Sequence, residues 1–194
     1  MDNPKMLNLG CGKNILAGWV NIDCTKLDGV DIIADFDKCA TIPLPFEDNS
    51  IDGFYASHLI EHLKNPLPFM QELYRIAKPN AEALFLLPYG SSDDACEDPT
   101  HVRQYFLNSF GYFSQPFYWR ADYGYRGDWL TTRISLKVDR KRFHGKSSDE
   151  IMFEVETYRN VVKEMIVELS AVKPARSQLK ELQRRPDIKF ELSD

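Results

Sequence analysis

The chain has 194 residues, a formal net charge of −5, and 43% hydrophobic and 27% charged residues. That size supports one domain with a substantial core, and the acidic balance argues against nucleic acid as a partner. No apolar run reaches the roughly 18 residues of a membrane span. Residues Met1–Lys5 lead directly into an apolar stretch, leaving no room for a signal peptide, and Cys11, Cys24, Cys39 and Cys96 have no paired spacing, so a cytoplasmic protein with reduced thiols is expected.

Met6–Leu9 is predicted as a strand that runs into the glycine turn Gly10-Cys11-Gly12. Trp19–Ile22 is the second strand, ended by Asp23, and the eight residues Cys11–Gly18 between them allow about one helical turn. The third strand is Val30–Ala34, ended by Asp35, and the fourth is Ile51–Ala56. Pro66–Ala77 reads as a helix, with Leu67, Met70, Leu73, Tyr74 and Ala77 on one face. Ala83–Leu87 is apolar throughout, as a central parallel strand requires. Asp98-Pro99-Thr100 leads into a helix expected near 100–110. Residues 112–130, aromatic and glycine-rich, have no clear assignment. Thr131–Val138 alternates as a strand, and a final strand is expected near 163–172. The tail from Pro174 reads as a polar helix that Pro186 ends. The expected organisation is one domain over 1–173, with an aromatic lid and acceptor region at about 98–130, followed by a polar tail over 174–194.

A strand, a glycine turn and an acid ending the next strand suit the binding of an adenosine. Gly10 and Gly12 let the backbone approach a ligand closely, and Asp23 offers two acceptor oxygens to a ribose diol. A dinucleotide-binding oxidoreductase would need a third glycine where Ile15 stands. Further motifs follow in order: Leu44-Pro45-Phe46-Glu47-Asp48-Asn49-Ser50, Ala56-Ser57-His58-Leu59-Ile60-Glu61-His62, and Glu72-Leu73-Tyr74-Arg75 before Lys78-Pro79.

In this order the motifs resemble class I S-adenosylmethionine (SAM)-dependent methyltransferases, and more narrowly their compact type 11-like bacterial and phage group, over about residues 5–110. The resemblance implies an α/β, Rossmann-like, doubly wound sheet. It would have seven mostly parallel strands, an antiparallel last strand and a shortened first crossover. It implies SAM as cofactor, with S-adenosylhomocysteine as product. Asn8, Gly10, Cys11 and Gly12 would cradle the methionine part and the sugar, and Asp23 would hold the ribose. Asp35 with Phe36 would reach the adenine, and Ser57 and His58 the methionine end. Asn8 replaces the acid often found in this motif.

His58, Glu61 and His62, spaced i, i+3 and i+4, would share one helical face. Three readings stay open for them. One is a general base for a hydroxyl or amine. The second is a divalent-metal site with His101 as a further ligand, as in some O-methyltransferases carrying Glu-x-x-Glu-His. The third is a structural role, with Glu61 capping the helix. His58, His62 and His101 are the expected catalytic residues, and no metal is expected. Arg103 could hold an anionic acceptor.

An aromatic belt runs from Phe106 to Trp129 and suits a water-excluding wall or a dimer surface. Residues 120–146 hold 8 Lys/Arg against 3 Asp, and their basic segment Asp139–Lys146 would face an anionic substrate group or acidic partner, or be a solvated loop between two strands. The expected function is methyl transfer to an O or N atom of a small or medium-sized acceptor, with a nucleotide-sugar or polysaccharide precursor as an anionic option. The alternative is a non-catalytic SAM-binding module that serves a partner. A homodimer is plausible from the belt and tail.

Overall fold

The structure, a computed structural model, describes residues 4–193. Its sheet is built from β1 (Met6–Leu9), β2 (Val20–Asp23), β3 (Ile32–Ile33), β4 (Ile51–Ser57), β5 (Ala77–Pro88), β6 (Trp129–Asp139), β7 (Val162–Ala171) and β8 (Asp187–Ser193). The spatial order is β3-β2-β1-β4-β5-β7-β6-β8. Neighbours pair in parallel except β7, which is antiparallel to both β5 and β6. The helices are α1 (Pro66–Ile76), α2 (Asp94–Glu97), α3 (Arg140–Phe143) and α4 (Ser148–Thr157). No helix of the described residues is long and apolar enough to cross a membrane.

Register explains the core. Ile22, Leu9, Ala56, Phe85, Val167, Ile134 and Ile188 lie in one row across seven strands. All are fully buried except Ile188, which is partly so. Phe69, Met70, Leu73 and Ile76 of α1 pack into the same core. On the opposite face the row Tyr55, Leu84, Glu168, Arg133 and Asp187 is half-buried or exposed.

The helical turn expected in the first crossover does not form: residues 11–19 are turns, a bend and coil. Two buried asparagines take over the bonding a helix would have done for itself. Asn8 Nδ2 donates to Asn14 O at 2.7 Å and to Asn21 Oδ1 at 2.9 Å. Asn21 Oδ1 accepts from Leu16 N, and its Nδ2 donates to the carbonyls of Leu16 and Trp19. The loop backbone is thereby satisfied without a helix.

Three expectations need correcting. The sheet has eight strands among the described residues, not seven. The polar helix expected over 174–186 does not form, and β8 follows it, pairing in parallel with β6 from Arg133↔Asp187 to Asp139↔Ser193. Arg176 pins the tail: its backbone and guanidinium nitrogens donate to Asp128 at 2.7–2.8 Å, and Asp128 is fully buried. The helix expected near 100–110 is also absent. That stretch is irregular and gives way to 3-10 turns at Ser109–Phe113 and Gln115–Trp119, where aromatic side chains rather than helical ladders fill the space. In addition, α4 went unread in the sequence, although its Ser147/Glu150 capping box marks its start.

Candidate functional site

β1, β2 and β4 end at the same edge of the sheet, and their loops meet there. Leu9 pairs with both Ile22 and Ala56, so Gly10 lies between Asp23 and Ser57-His58. Gly10 and Gly12 have φ of 62° and 50°. A Cβ on Gly10 would stand 2.8 Å from Leu59 Cδ1, whereas one on Gly12 would meet nothing within 4 Å. Gly10 is therefore glycine for packing, while Gly12 keeps an open side. Gly12 N donates to Asp23 Oδ2 at 2.8 Å, and Thr25 N to Asp23 Oδ1 at 2.8 Å. The partly exposed carboxylate is fixed by the loop and keeps one lone pair on each oxygen for a diol.

The other expected cofactor residues differ among themselves. Both amide hydrogens of Asn8 are used inside the fold, so it braces the loop from beneath. Cys11 is buried; burial, with Asp23 second, pushes its thiol pKa up, as suits a packing residue rather than a nucleophile. Asp35 is exposed, caps a 3-10 turn through Asp37 N and pairs with Lys38 at 3.1 Å. The Phe36 ring does not offer an open face to adenine. It is buried edge-on against Phe69 at a centroid distance of 5.2 Å.

The histidines do not share one helical face. His58 sits at φ 52°, left-handed, and only Ile60–His62 forms a 3-10 turn. The half-exposed His58 ring lies between two carboxylates, with Nδ1 3.4 Å from Glu61 Oε1 and Nε2 3.1 Å from Glu164 Oε1. Glu61 raises its pKa above the ordinary histidine value; partial burial opposes this, and Glu164 adds to the rise. Glu164 is also paired with Lys137. His62 and His101 form a separate pair, ring edge to face, with centroids 4.7 Å apart. Glu61 is 2% exposed, and among the described residues neither of its oxygens accepts a hydrogen bond, so it does not cap the 3-10 turn.

The segment after His101 hangs on Glu61: Val102 N and Arg103 N both donate to Glu61 O, and Arg103 also donates to Lys64 O. From there a cleft of ≈ 600 Å³ opens, walled by Arg103, Phe106, Tyr112, Tyr118 and Tyr123. The aromatic belt is thus split in two. Phe110, Phe113, Tyr125 and Trp129 are core, while Phe106, Tyr112 and Tyr123 are exposed. The basic segment is not a free patch. Arg142 and Lys146 both pair with Glu154 of α4 and flank the Phe143 ring.

The fold matches solved structures at low identity. A SAM-dependent methyltransferase from Archaeoglobus fulgidus aligns over 86% of each chain at 14% identity and TM-score 0.53. One from Aquifex aeolicus covers 87% of this chain and 82% of its own at 17% identity and TM-score 0.52. The YcgJ protein of Bacillus subtilis covers 88% and 93% at 13% identity and TM-score 0.54. Those likenesses speak to architecture. The family model described as "Methyltransferase domain" matches residues 7–85, from β1 into β5, and so covers the glycine loop, Asp23, Asp35 and the His58–His62 segment. Residues 7–85 thus match a methyltransferase domain, carried on a fold shared with SAM-dependent methyltransferases.

The residues present are compatible with SAM: an open-sided Gly12 lies beside a fixed, partly exposed Asp23 carboxylate. Two residues that contact these candidates were not read from the sequence. Glu164 reaches His58 only because β7 pairs with β5, opposite Pro88, and nothing local signals that. Asn21 was visible in the Trp19–Asp23 motif but has no chemistry that singles it out as a loop brace.

Proposed function

We propose that the methyltransferase acts on an oxygen or nitrogen atom of a small or medium-sized acceptor that enters the aromatic cleft. When bound, SAM supplies a methyl group already activated on a sulfonium, so the chain's own residues position, desolvate and move a proton. Gly10–Gly12 and Asp23 hold the cofactor, with the exposed Asp35 and the Ser57-His58 corner around it. His58 is the proton acceptor nearest that loop, since it leaves β4 beside Gly10; Glu164 holds its ring at Nε2, and the Glu61 carboxylate faces Nδ1 at 3.4 Å. Phe106, Tyr112 and Tyr123 exclude water from the acceptor, and Arg103 gives the cleft wall a positive charge suited to an anionic one.

The observation that carries this reading is the cleft itself. Its wall begins at Val102 and Arg103, whose backbones are tied to Glu61, three residues from His58. The test is transfer of label from methyl-labelled SAM to a panel of hydroxyl- and amine-bearing acceptors, neutral and anionic. Labelled product that His58→Ala reduces at least tenfold, with SAM affinity kept, supports the assignment. SAM binding without turnover on any member would favour a non-catalytic binding module.

A further inference from the structure

We propose that Glu61, His62 and His101 form a binding site for a divalent first-row transition-metal ion of the Zn²⁺ type. One ligand atom from each residue can be chosen so that all three lie within 4.8 Å of one another. Atoms bound to one metal at about 2.0–2.1 Å stand about 3.3 Å apart, so modest side-chain rotation closes the set.

The case rests on unpaired polar atoms. Glu61 is 2% exposed, and both its oxygens lack a hydrogen bond. An ionised carboxylate so placed is costly unless something of opposite charge meets it. His58 Nδ1 stands 3.4 Å from Oε1 but makes no hydrogen bond to it, and its other nitrogen is held by Glu164. His101 Nδ1 is likewise buried without a partner. A structural cluster would have satisfied these atoms internally.

The surroundings set both imidazoles up as ligands. Thr100 Oγ1 donates to Asp98 Oδ1 at 2.6 Å. Its hydrogen is therefore used, and at the 3.0 Å contact with His62 Nδ1 it must accept. That places the His62 proton on Nδ1 and leaves the Nε2 lone pair for a metal. On His101, Asp98 Oδ2 lies 3.8 Å from Nε2. This favours the proton there and leaves the orphaned Nδ1 as ligand. One exposed acid, Asp98, thus orients both histidines, directly or through Thr100. Two imidazoles and one carboxylate suit Zn²⁺ and its neighbours better than Mg²⁺.

Three protein ligands leave a coordination position open. The acceptor cleft begins at Val102, next to His101, so a hydroxyl-bearing acceptor fits that position. This last step rests on the proposed function, whereas the metal site does not.

The test is calorimetric titration of untagged, EDTA-treated protein with Zn²⁺, Mn²⁺ and Mg²⁺, with SAM titrated separately into each variant. One Zn²⁺ per chain is expected, bound more tightly than Mg²⁺. Affinity should fall at least tenfold in Glu61→Gln and in His101→Ala, and about tenfold in Thr100→Val. His144→Ala should leave it unchanged. SAM binding retained in these variants shows that they fold. No stoichiometric Zn²⁺ binding, or binding that Glu61→Gln and His101→Ala leave intact, overturns the site. If wild type binds SAM but no metal, the metal site fails alone; if it binds neither, the cofactor reading fails too.

Discussion

Glu72 and Glu61 are both buried glutamates in recognisable motifs, and their surroundings are opposite. Glu72, 7% exposed, accepts from Leu44 N at 2.7 Å and from two guanidinium nitrogens of Arg75 at 2.7 and 2.9 Å. Arg75 goes on to Asp48 and to the carbonyls of Phe46 and Leu44. The Leu44–Ser50 and Glu72–Arg75 motifs are thus one clamp that ties the loop before β4 to α1. Glu61, more deeply buried, has no hydrogen-bonded partner for either oxygen. A motif whose polar atoms are all satisfied belongs to the fold; one whose buried atoms are left open is kept for something that binds.

The contrast can be broken from its satisfied side. Asp128, fully buried, collects Ser114 Oγ, Gln115 N and three nitrogens of Arg176. Asp128→Ala leaves that guanidinium without its counter-charge and should cost about 3–5 kcal/mol, read as a lower urea midpoint at unchanged slope. Arg75→Ala would turn Glu72 into a second unpaired carboxylate. Because Arg75 is partly exposed and water can enter, the loss should be about 1–3 kcal/mol.

Much of this was legible beforehand, and the gaps have physical causes. The glycine turn, Asp23, the α1 face and the apolar β5 depend on local pattern, and local pattern survives folding. β8 also had its signal, the alternation of Ile188, Phe190 and Leu192 with Asp187, Lys189 and Glu191, but it follows a segment whose shape is set by Asp128, 48 residues earlier than Arg176. His58 was misplaced on a helix because its left-handed backbone is imposed by the corner after β4, not by its residue type. Phe36 looked like an adenine contact because it follows Asp35. Only the position of Phe69 on α1 shows that its ring points into the core.

Smaller changes sharpen the comparison at the site itself. Gly10→Ala forces a side chain into a left-handed backbone and against Leu59. It should cost about 1–2 kcal/mol and weaken SAM at least tenfold in a calorimetric titration. At the exposed wall of the cleft, Tyr112→Ala and Tyr123→Ala should change stability by less than about 0.5 kcal/mol while raising KM for the acceptor and leaving SAM affinity alone.

The most direct measurement is urea unfolding of EDTA-treated Glu61→Gln beside Glu72→Gln. Removing a charge that nothing hydrogen-bonds should leave Glu61→Gln as stable as the parent or more so, while Glu72→Gln, whose amide hydrogens would face Arg75, loses about 1–3 kcal/mol. Equal losses in the two would contradict the account, because they would make Glu61 a structural residue like Glu72.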